Sequence, residues 1–534
     1  MTYAFAHRNT YLNHLANDLF DVVIIGGGVT GAGALLDAQS RGLKACLIEM
    51  QDFSEGTSSR STKLIHGGLR YLKQKDFSLV AEVGRERNTL HANAKYLTQP
   101  TEVIIPFIKG GSMGKFTAKI AMVMYEWLAR VDKKYKHSIL KRRAVKNLLP
   151  NIEDSNLKGG VIYYEYKTND SRLCIELIKK ATSLGAVALN YVKADSFNYK
   201  EGKIDAIKAS DLFTGKEITI NANYCISAAG PWTDDILKMD DTNAPNKVLL
   251  TKGVHIVFSV DKFPLVNAVY FEVGDGRMVF AVPKLGKVYV GTTDTFYDAD
   301  TANPDTNKED AIYIIDAINR NFKLVHLTLE DIEATWSGLR PLIKQEGKGP
   351  SEISRKDEVF ITDSNLVAIA GGKLTGFRKM AQKVVDLVEE KWSKENNQTF
   401  RACKTQDIKF PGFEERPESE FEDFAVSQGL SDIEAGKIYH WFGKEAYQIL
   451  KEEEEIEGLP TYIGKSLNYS LKNEMVTNPL DFLIHRTQLA YFDTKLSIKS
   501  LPLVYKRIQE DIKEDTVLKA ESIYLSKLKE LITF

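Results

Sequence analysis

Three glycines and one acidic residue near the start of the chain have the spacing of a dinucleotide-binding site. Gly26, Gly28 and Gly31 give the pattern G-x-G-x-x-G, and Glu49 follows them. Glycines without a Cβ permit a tight turn, let a diphosphate approach the backbone and pack a helix close to a strand. The Glu49 carboxylate can accept hydrogen bonds from a ribose 2′-OH. These residues predict a site for a dinucleotide, either FAD or NAD.

The elements that must position these residues are two strands and a helix. Residues 20–25 form a short apolar run typical of a strand buried on both faces, and residues 45–48 form a second apolar run. The segment between them predicts a helix whose N-terminal N–H groups and positive dipole end would face the phosphates. The order strand, glycines, helix, strand and acid favours a dinucleotide fold over a glycine-rich turn in some other α/β fold.

A segment rich in hydroxyl groups follows the acid. Its hydroxyl residues are Ser54, Thr57, Ser58, Ser59, Ser61 and Thr62. Composition alone would favour a solvated serine-rich loop, but Gly67-Gly68 and then Arg70-Tyr71 follow immediately. We therefore expect this loop to make a second set of contacts to the diphosphate and the ring system of the cofactor.

The bulk properties narrow the class of protein. With 534 residues, 43% hydrophobic and 27% charged, the chain predicts a globular protein of two or three domains. A net charge of −1 gives no general attraction to nucleic acid, and the four scattered cysteines show no metal spacing and suit a reducing compartment. The polar first nineteen residues do not resemble a signal peptide, and no apolar run approaches the ~20 residues that span a bilayer. We expect a cytoplasmic protein or one attached to a membrane surface, without a metal.

Seven segments resemble the FAD-dependent glycerol-3-phosphate dehydrogenase family and its close relatives, the α-glycerophosphate oxidases. The most specific segment is G-T-S-S-R-S-T-K-L-I-H-G-G-L-R-Y-L at 56–72. The others are T-K-G-V-H (251–255), D-G-R-M-V-F-A-V-P (275–283), G-T-T-D-T (291–295), W-S-G-L-R-P-L (336–342), I-S-R-K-D (353–357) and A-G-G-K-L-T-G-F-R (370–378). The resemblance covers nearly the whole chain. It implies FAD bound without a covalent link, and oxidation of sn-glycerol 3-phosphate to dihydroxyacetone phosphate.

The expected fold is α/β, with an FAD-binding Rossmann-like domain of the glutathione-reductase/D-amino-acid-oxidase type, an antiparallel-sheet substrate domain and a helical C-terminal domain. The FAD-binding domain is predicted to be discontinuous and to contain residues 18–74, 151–245 and 356–395. The substrate domain would contain 75–150 and 246–355. Residues 400–534, where the glycine motifs stop, would form a separate helical domain.

The expected cofactor contacts come from the glycine turn, the hydroxyl-rich loop and two later segments with small residues. They are Gly26, Gly28, Gly31, Glu49, Thr57, Ser58, Ser59, Ser61, Lys63, Leu64, His66, Gly67, Gly68, Val192, Gly230, Gly372, Leu374 and Thr375. The helix after Gly371-Gly372 should direct its N-terminus at the flavin, where the helix dipole can stabilise negative charge on the reduced ring.

Positive side chains within the motif segments are the candidates for binding a phosphate dianion, which arginine forks and lysine point charges hold best. A single arginine or lysine is more often a solvated surface residue. Arg340, however, precedes a proline in an apolar run, and Lys373 follows two glycines. By resemblance to the family, Arg70, Tyr71, Arg355 and Lys373 would bind the phosphate end, and Arg340 would lie near the hydroxyl and the flavin.

Oxidation of an alcohol also needs a group that accepts the hydroxyl proton. Two of the nine histidines, His66 and His255, lie in motif segments. We favour His255, because an imidazole with its ordinary pKa of about 6.5 accepts a proton at neutral pH. His66 would pack beside the flavin or hydrogen-bond to it. A structural role remains an alternative for each histidine.

The segment 109–146 is strongly basic, with eleven basic and two acidic residues and a net charge of +9. Within it, the pattern predicts a helix with Ile120, Val123, Met124 and Trp127 on an apolar face. Such a helix could lie in a lipid interface, or it could pack in the core with a solvated basic loop after it. The resemblance implies attachment to the inner face of the cell membrane and favours the first alternative.

The electron acceptor is either the membrane quinone pool or O2, which would give peroxide. Oxidase members of the family carry an insert between the G-L-R-P and A-G-G-K motifs, and the short segment 342–369 here favours quinone. An amino-acid-oxidase-like flavoprotein would not need several converging cations, and a nucleotide-binding regulator would not explain Arg70, Arg340 and His255. A homodimer is left open, and no nucleic-acid partner is expected.

Overall fold

The computed structural model describes residues 3–73, 76–111, 114–345, 347, 355–397, 399–512 and 518–533, apart from the side chains of Arg70 and Lys73. The strands are β1 (Leu19–Ile25), β2 (Ala45–Ile48), β3 (Leu64–Ile65), β4 (Thr98–Ile108), β5 (Ser138–Lys141), β6 (Leu157–Thr168), β7 (Val187–Leu189), β8 (Val192–Lys200), β9 (Lys203–Asp211), β10 (Glu217–Ser227), β11 (Val248–Ser259), β12 (Ala268–Glu272), β13 (Met278–Lys284), β14 (Lys287–Gly291), β15 (Thr295–Phe296), β16 (Ile332–Ile343), β17 (Asp357–Ile361) and β18 (Leu366–Gly371). The helices are α1 (Arg8–Asn17), α2 (Val29–Arg41), α3 (Arg70–Lys73), α4 (Phe77–Asn93), α5 (Lys115–Ala129), α6 (Arg142–Leu148), α7 (Asp170–Ser183), α8 (Thr233–Asp240), α9 (Lys308–Asn321), α10 (Phe377–Asn396), α11 (Glu418–Ser427), α12 (Asp432–Phe442), α13 (Glu445–Glu452), α14 (Thr461–Asn473), α15 (Leu489–Phe492), α16 (Thr494–Asp511) and α17 (Glu521–Glu530).

The first sheet has the order β17-β18-β10-β1-β2-β7, with β8 and β9 as an antiparallel extension of β10. Its centre is parallel, since β1 pairs in parallel with both β2 and β10, and β10 pairs in parallel with β18. Helix α2 packs against α7 and α10. The predicted strand, glycine turn, helix and strand are therefore present as β1, α2 and β2, because each depends on a short local pattern. The α/β fold class is confirmed.

The second sheet is mostly antiparallel and has ten strands in the order β15-β11-β14-β13-β12-β4-β6-β3, with β16 paired to β11 and β5 paired to β6. Strand β6 pairs with β4 from Leu157 to Thr168. Strand β6 therefore belongs to the second sheet, although it lies in the segment 151–245 that was expected in the FAD-binding domain; the domain bounds stay a prediction. The partner of a strand depends on contacts between distant parts of the chain, and the local pattern of β6 does not reveal them.

The C-terminal helices share one apolar core with the first sheet. This core contains Val23 of β1 as well as Leu467 of α14. Buried ion pairs also join the two parts. The guanidinium of Arg486 donates to both carboxylate oxygens of Asp52, at 2.6 and 3.1 Å, and Arg172 of α7 donates to Glu474 at 2.7 Å. The C-terminal region is helical, as expected, but it packs as part of the same body as the first sheet. None of the helices described here is long and apolar enough to cross a membrane.

Candidate active site

A cavity of about 1160 Å³ lies where the two sheets meet. Residues at the carboxyl ends of β1, β2 and β18 line one side, and residues of β11 and β16 line the other. Ligands of open parallel sheets bind outside the carboxyl ends of the strands. The fold therefore places the predicted dinucleotide motif and the predicted substrate residues around one space.

The glycine turn after β1 has no room for larger side chains. Gly26 has a φ of +111°, and a Cβ there would lie 2.6 Å from the carbonyl oxygen of Ala228. A Cβ on Gly31 would lie 1.9 Å from the carbonyl oxygen of Gly26, so Gly31 brings α2 close to the strand. The backbone of the turn is consequently open to the cavity at Gly26 and Gly28, as a diphosphate requires.

Glu49 follows β2 and faces the same cavity. Its carboxylate accepts hydrogen bonds from the backbone N–H of Gly27 at 2.6 Å and of Gln51 at 2.8 Å. Burial raises the pKa of Glu49 to about 7, since these two hydrogen bonds only partly offset the loss of solvent. A ribose hydroxyl that donated to this carboxylate would favour its ionised form. Together with the glycine turn, Glu49 fits the adenosine end of a dinucleotide.

The hydroxyl-rich loop is held mainly by contacts to protein. Ser58 accepts a hydrogen bond from the first N–H of α2, that of Val29, at 2.9 Å. Thr57 donates to the carbonyl of Leu339 in β16 at 2.5 Å. Ser61 and Lys63 donate to the two oxygens of Asp170, at 2.7 and 2.9 Å, at the start of α7. The loop therefore connects the dinucleotide motif to strand β16 of the second sheet and to helix α7.

Most of the predicted cofactor residues line the cavity. They are Gly26, Gly28, Glu49, Thr57, Ser58, Ser61, Leu64, His66, Gly68, Val192, Gly230, Gly372, Leu374 and Thr375. Lys63 does not: its side chain is fully buried, and its ammonium also donates to the carbonyl of Ser59 at 2.7 Å. Gly31, Ser59 and Gly67 likewise lie behind the lining. These four residues support the glycine turn and the loop, and their contact with the cofactor stays a prediction.

Three cations from distant segments meet at the other end of the cavity. Arg340 of β16 and Arg355, just before β17, each pair with Asp294, at 3.3 and 3.1 Å. Lys373 lies with its ammonium 4.2 Å from the centre of the Tyr71 ring. All of these residues line the cavity. The side chain of Arg70 and residues 353–354 of the I-S-R-K-D segment lie outside the described part of the chain.

His255 of β11 lies between these cations and the hydroxyl-rich loop. Its Nε2 is 2.9 Å from the hydroxyl of Thr62, and its ring stacks on Trp336 with 4.9 Å between ring centres. Burial lowers the pKa of His255 well below its ordinary value, and the positive charges of Arg340 and Lys63 lower it further. The imidazole is therefore neutral at physiological pH, which is the state that can accept a proton, although its pKa is not the ordinary value expected from the sequence.

His66 also lines the cavity, but it contacts different partners. Its backbone carbonyl accepts a hydrogen bond from Thr375 at 3.3 Å, and its ring lies edge-on to Phe280. Burial lowers the pKa of His66 well below its ordinary value, and the positive charges of Lys373 and Arg355 lower it further. His66 therefore joins the loop to the second Gly-Gly segment through its backbone carbonyl, and its imidazole is neutral.

Comparisons with known proteins agree with this geometry. A family model described as FAD dependent oxidoreductase matches residues 21–378, and one described as the C-terminal domain of alpha-glycerophosphate oxidase matches 403–517. The aerobic glycerol-3-phosphate dehydrogenases of Staphylococcus haemolyticus and Staphylococcus aureus are 46% identical over 501 residues, which is 91% of this chain and 90% of theirs. The chain belongs to the FAD-dependent glycerol-3-phosphate dehydrogenase family. Its cofactor is FAD.

Solved structures support membership of this family. The glycerol-3-phosphate dehydrogenase from Bacillus halodurans, solved in complex with FAD, is 35% identical, with a TM-score of 0.83 over 99% of this chain and 98% of its own. The L-alpha-glycerophosphate oxidase from Mycoplasma pneumoniae, with FAD bound, has a TM-score of 0.57 over 74% of this chain and 98% of its own. Its identity of 16% shows a shared fold only.

Sequence reasoning missed several residues of this dehydrogenase-family site. Asp294 was within the quoted G-T-T-D-T segment but was not singled out, although an acid in a motif segment beside several predicted cations is a usable signal. Asp170 and Trp336, which hold Lys63 and His255, gave no such signal. Their roles depend on packing between elements that are far apart in the chain.

Helix α5 forms part of the cavity wall. Its lining residues are Thr117, Ile120, Ala121 and Met124, and Tyr270, Met278 and Phe280 line the same cavity. Helix α5 buries Ala118, Met122, Tyr125 and Ala129, whereas Phe116, Ile120, Val123 and Trp127 are exposed, Phe116 and Trp127 by 76 and 77%. Three of the four residues of the predicted apolar face, Ile120, Val123 and Trp127, are thus on the surface of the protein, and Ile120 also lines the cavity.

Proposed function

We propose that this family member oxidises sn-glycerol 3-phosphate to dihydroxyacetone phosphate and passes the electrons to membrane quinone. The observation that supports this most directly is the convergence of Arg340, Arg355, Lys373 and His255 around one cavity that also contains the FAD motif. A phosphate group needs positive donors, and an alcohol that is to be oxidised needs a neutral base. The cavity offers both.

Substrate binding is assigned to the three cations. Arginine forks donate parallel hydrogen bonds to phosphate oxygens, and lysine adds a point charge. Arg355 and Lys373 would hold the phosphate, with Tyr71 against the lysine. Arg340, which lies next to Asp294 and Thr292, would direct the hydroxyl end. Fixing both ends of a small substrate lowers the entropy that reaching the reactive geometry would otherwise cost.

Proton removal is assigned to His255. The bound FAD supplies the acceptor for the hydride that leaves C2 of the alcohol. The hydroxyl proton goes to Nε2 of His255, because Nδ1 is buried and Nε2 lies beside Thr62 at the cavity wall. The low pKa of the buried ring favours passing this proton on rather than retaining it.

The electron acceptor is assigned from the side chains on the surface of α5. The exposed side chains of α5 include Phe116, Ile120 and Trp127, of which Ile120 also lines the cavity, and all three lie within the basic segment 109–146. An exposed apolar helix face with basic residues beside it is typical of attachment to anionic lipid surfaces. We therefore favour peripheral attachment to the membrane and a lipophilic quinone over O2 as the electron acceptor.

The decisive experiment is anaerobic reduction of the purified yellow protein. Glycerol 3-phosphate should bleach the flavin absorbance, whereas D-amino acids should not. Reoxidation by a quinone analogue should then be much faster than reoxidation by air. A colourless protein, or a flavin that glycerol 3-phosphate does not reduce, would contradict the proposed reaction. Rapid reoxidation in air with stoichiometric peroxide would favour the oxidase alternative.

A further inference from the structure

Asp294 is the carboxylate that joins the two arginines of the cavity. It lies between β14 and β15, with only 9% of its side chain exposed. Its Oδ1 accepts from Nη1 of Arg340 at 3.3 Å, and its Oδ2 accepts from Nη2 of Arg355 at 3.1 Å. The arginines belong to different elements, β16 and the segment before β17. One side chain therefore sets the relative position of two cations from different elements.

The surroundings of Arg340 are built around the same loop. Its Nη2 donates to the hydroxyl of Thr292 at 2.9 Å, two residues before Asp294. Gly253 of β11 leaves the space for this contact, because a Cβ there would lie 2.1 Å from Nη2 of Arg340 and 2.4 Å from Oγ1 of Thr292. The guanidinium is thus held at two points by residues 292–294, against a strand position that has no room for a side chain.

The positive charges around the cavity explain why a carboxylate lies between the two arginines. Arg340, Arg355 and Lys373 face one cavity, and like charges at short distance repel each other strongly where solvent is limited. A carboxylate between the arginines reduces the positive charge by one and supplies charge-assisted hydrogen bonds that orient both forks.

We infer that Asp294 is a positioning residue, which orients Arg340 and Arg355 toward a single anionic substrate and tunes the positive charge of their site. This inference rests on the proposed oxidation of a phosphorylated alcohol. This role predicts that a change at Asp294 affects the affinity for an anion and the rate of flavin reduction differently. Removing the negative charge makes the site more attractive to an anion, while it releases the arginines from the geometry that catalysis needs.

The test compares Asp294→Asn and Asp294→Glu with the wild-type holoenzyme, and uses Asp275→Asn as a matched control. Asp275 lies at the rim of the same cavity and pairs with Arg277 of its own turn. Two quantities are measured: the affinity for inorganic phosphate, from perturbation of the flavin spectrum, and the rate of flavin reduction at saturating glycerol 3-phosphate. Flavin content and melting temperature are recorded for each variant.

For Asp294→Asn we expect normal flavin content, phosphate affinity equal to or tighter than that of the wild type, and flavin reduction slower by about 100-fold. Asp294→Glu keeps the charge and should recover part of the rate, and Asp275→Asn should behave as the wild type. An unchanged reduction rate in Asp294→Asn overturns the inference. Loss of flavin from both Asp294 variants, or parallel loss of phosphate affinity and rate, also overturns it, since either result indicates a structural role.

The wild-type protein separates this inference from the function on which it rests. If glycerol 3-phosphate does not reduce the wild-type flavin, the proposed function fails and the inference fails with it. If the wild-type flavin is reduced and the Asp294→Asn flavin is reduced equally fast, only the role of Asp294 is refuted.

Discussion

Glu49 provides a quantitative test of the FAD site, because its protonation and FAD binding must be linked. In the protein without cofactor, burial raises the pKa of Glu49 to about 7. A ribose hydroxyl that donates to the carboxylate stabilises the ionised form, so bound FAD should return the pKa toward the ordinary value of 4.5. A group whose pKa falls on binding contributes affinity above the pKa of the free state and loses it as the pH falls.

The size of the effect follows from these two values. Below about pH 7, the apparent dissociation constant for FAD should increase by up to about tenfold for each unit that the pH falls. The complex should therefore be about tenfold weaker at pH 6 than at pH 8. The limit, reached near the pKa of the bound state, is about 300-fold for a shift of about 2.5 units. In Glu49→Gln the carboxylate is replaced by an amide that does not titrate, so this contribution should vanish.

The assay is a titration of the apoprotein with FAD, followed by flavin fluorescence at pH 6, 7 and 8. Glu217→Gln, at an exposed position at the start of β10, serves as the control and should keep the wild-type slope. Equal affinity of the wild type at pH 6 and 8, or the same slope in wild type and Glu49→Gln, would show that Glu49 does not bind the ribose in its ionised form.

Three further predictions concern the base, the membrane and the C-terminal region. His255→Asn should lower kcat by about 10²–10⁴-fold with little change in substrate affinity; steady-state kinetics with near-wild-type turnover would remove His255 from the mechanism. Changing Lys133, Lys134, Lys141, Arg142 and Arg143 to Gln should weaken co-sedimentation with anionic liposomes by about tenfold or more, and unchanged binding would refute the lipid surface. Arg486→Met removes the guanidinium from the buried Asp52 carboxylate, which keeps its contacts with His485 and Asn190, so it should cost about 3–5 kcal/mol of stability. Thermal unfolding would measure this loss against Lys394→Met, whose exposed pair with Glu390 should matter little.

The sequence by itself determined the dinucleotide motif and the family. Strand β1 begins within one residue of its predicted start and ends where predicted, and β2 has the predicted bounds. This agreement has a local cause: an apolar run, three glycines and a following acid constrain the backbone over some thirty residues. The motif segments with Arg340, Arg355 and Lys373 were likewise recognisable, because short runs of particular residue types identify a family without any knowledge of the fold.

Contacts between distant segments could not be obtained in this way. Strand β6 pairs with β4 and therefore lies in the second sheet. The ammonium of Lys63, a predicted cofactor contact, forms a buried ion pair with Asp170. The bond from Asp294 to both arginines likewise joins residues 294, 340 and 355, which no local pattern relates. In each case the partner is chosen by proximity in the folded chain.

Helix α5 shows most clearly which features follow from the sequence and which depend on tertiary packing. Its sequence predicted a helix with Ile120, Val123, Met124 and Trp127 on one apolar face, and left open whether that face was buried. The opposite side, with Ala118, Met122, Tyr125 and Ala129, is also apolar, and it is the side that packs inward. Tyr125 bonds to the buried Arg87 and Glu165, and the missing Cβ of Gly67 leaves space for its hydroxyl. When a helix is apolar on two sides, only complementary shape and hydrogen bonding in the folded protein decide which side faces the solvent.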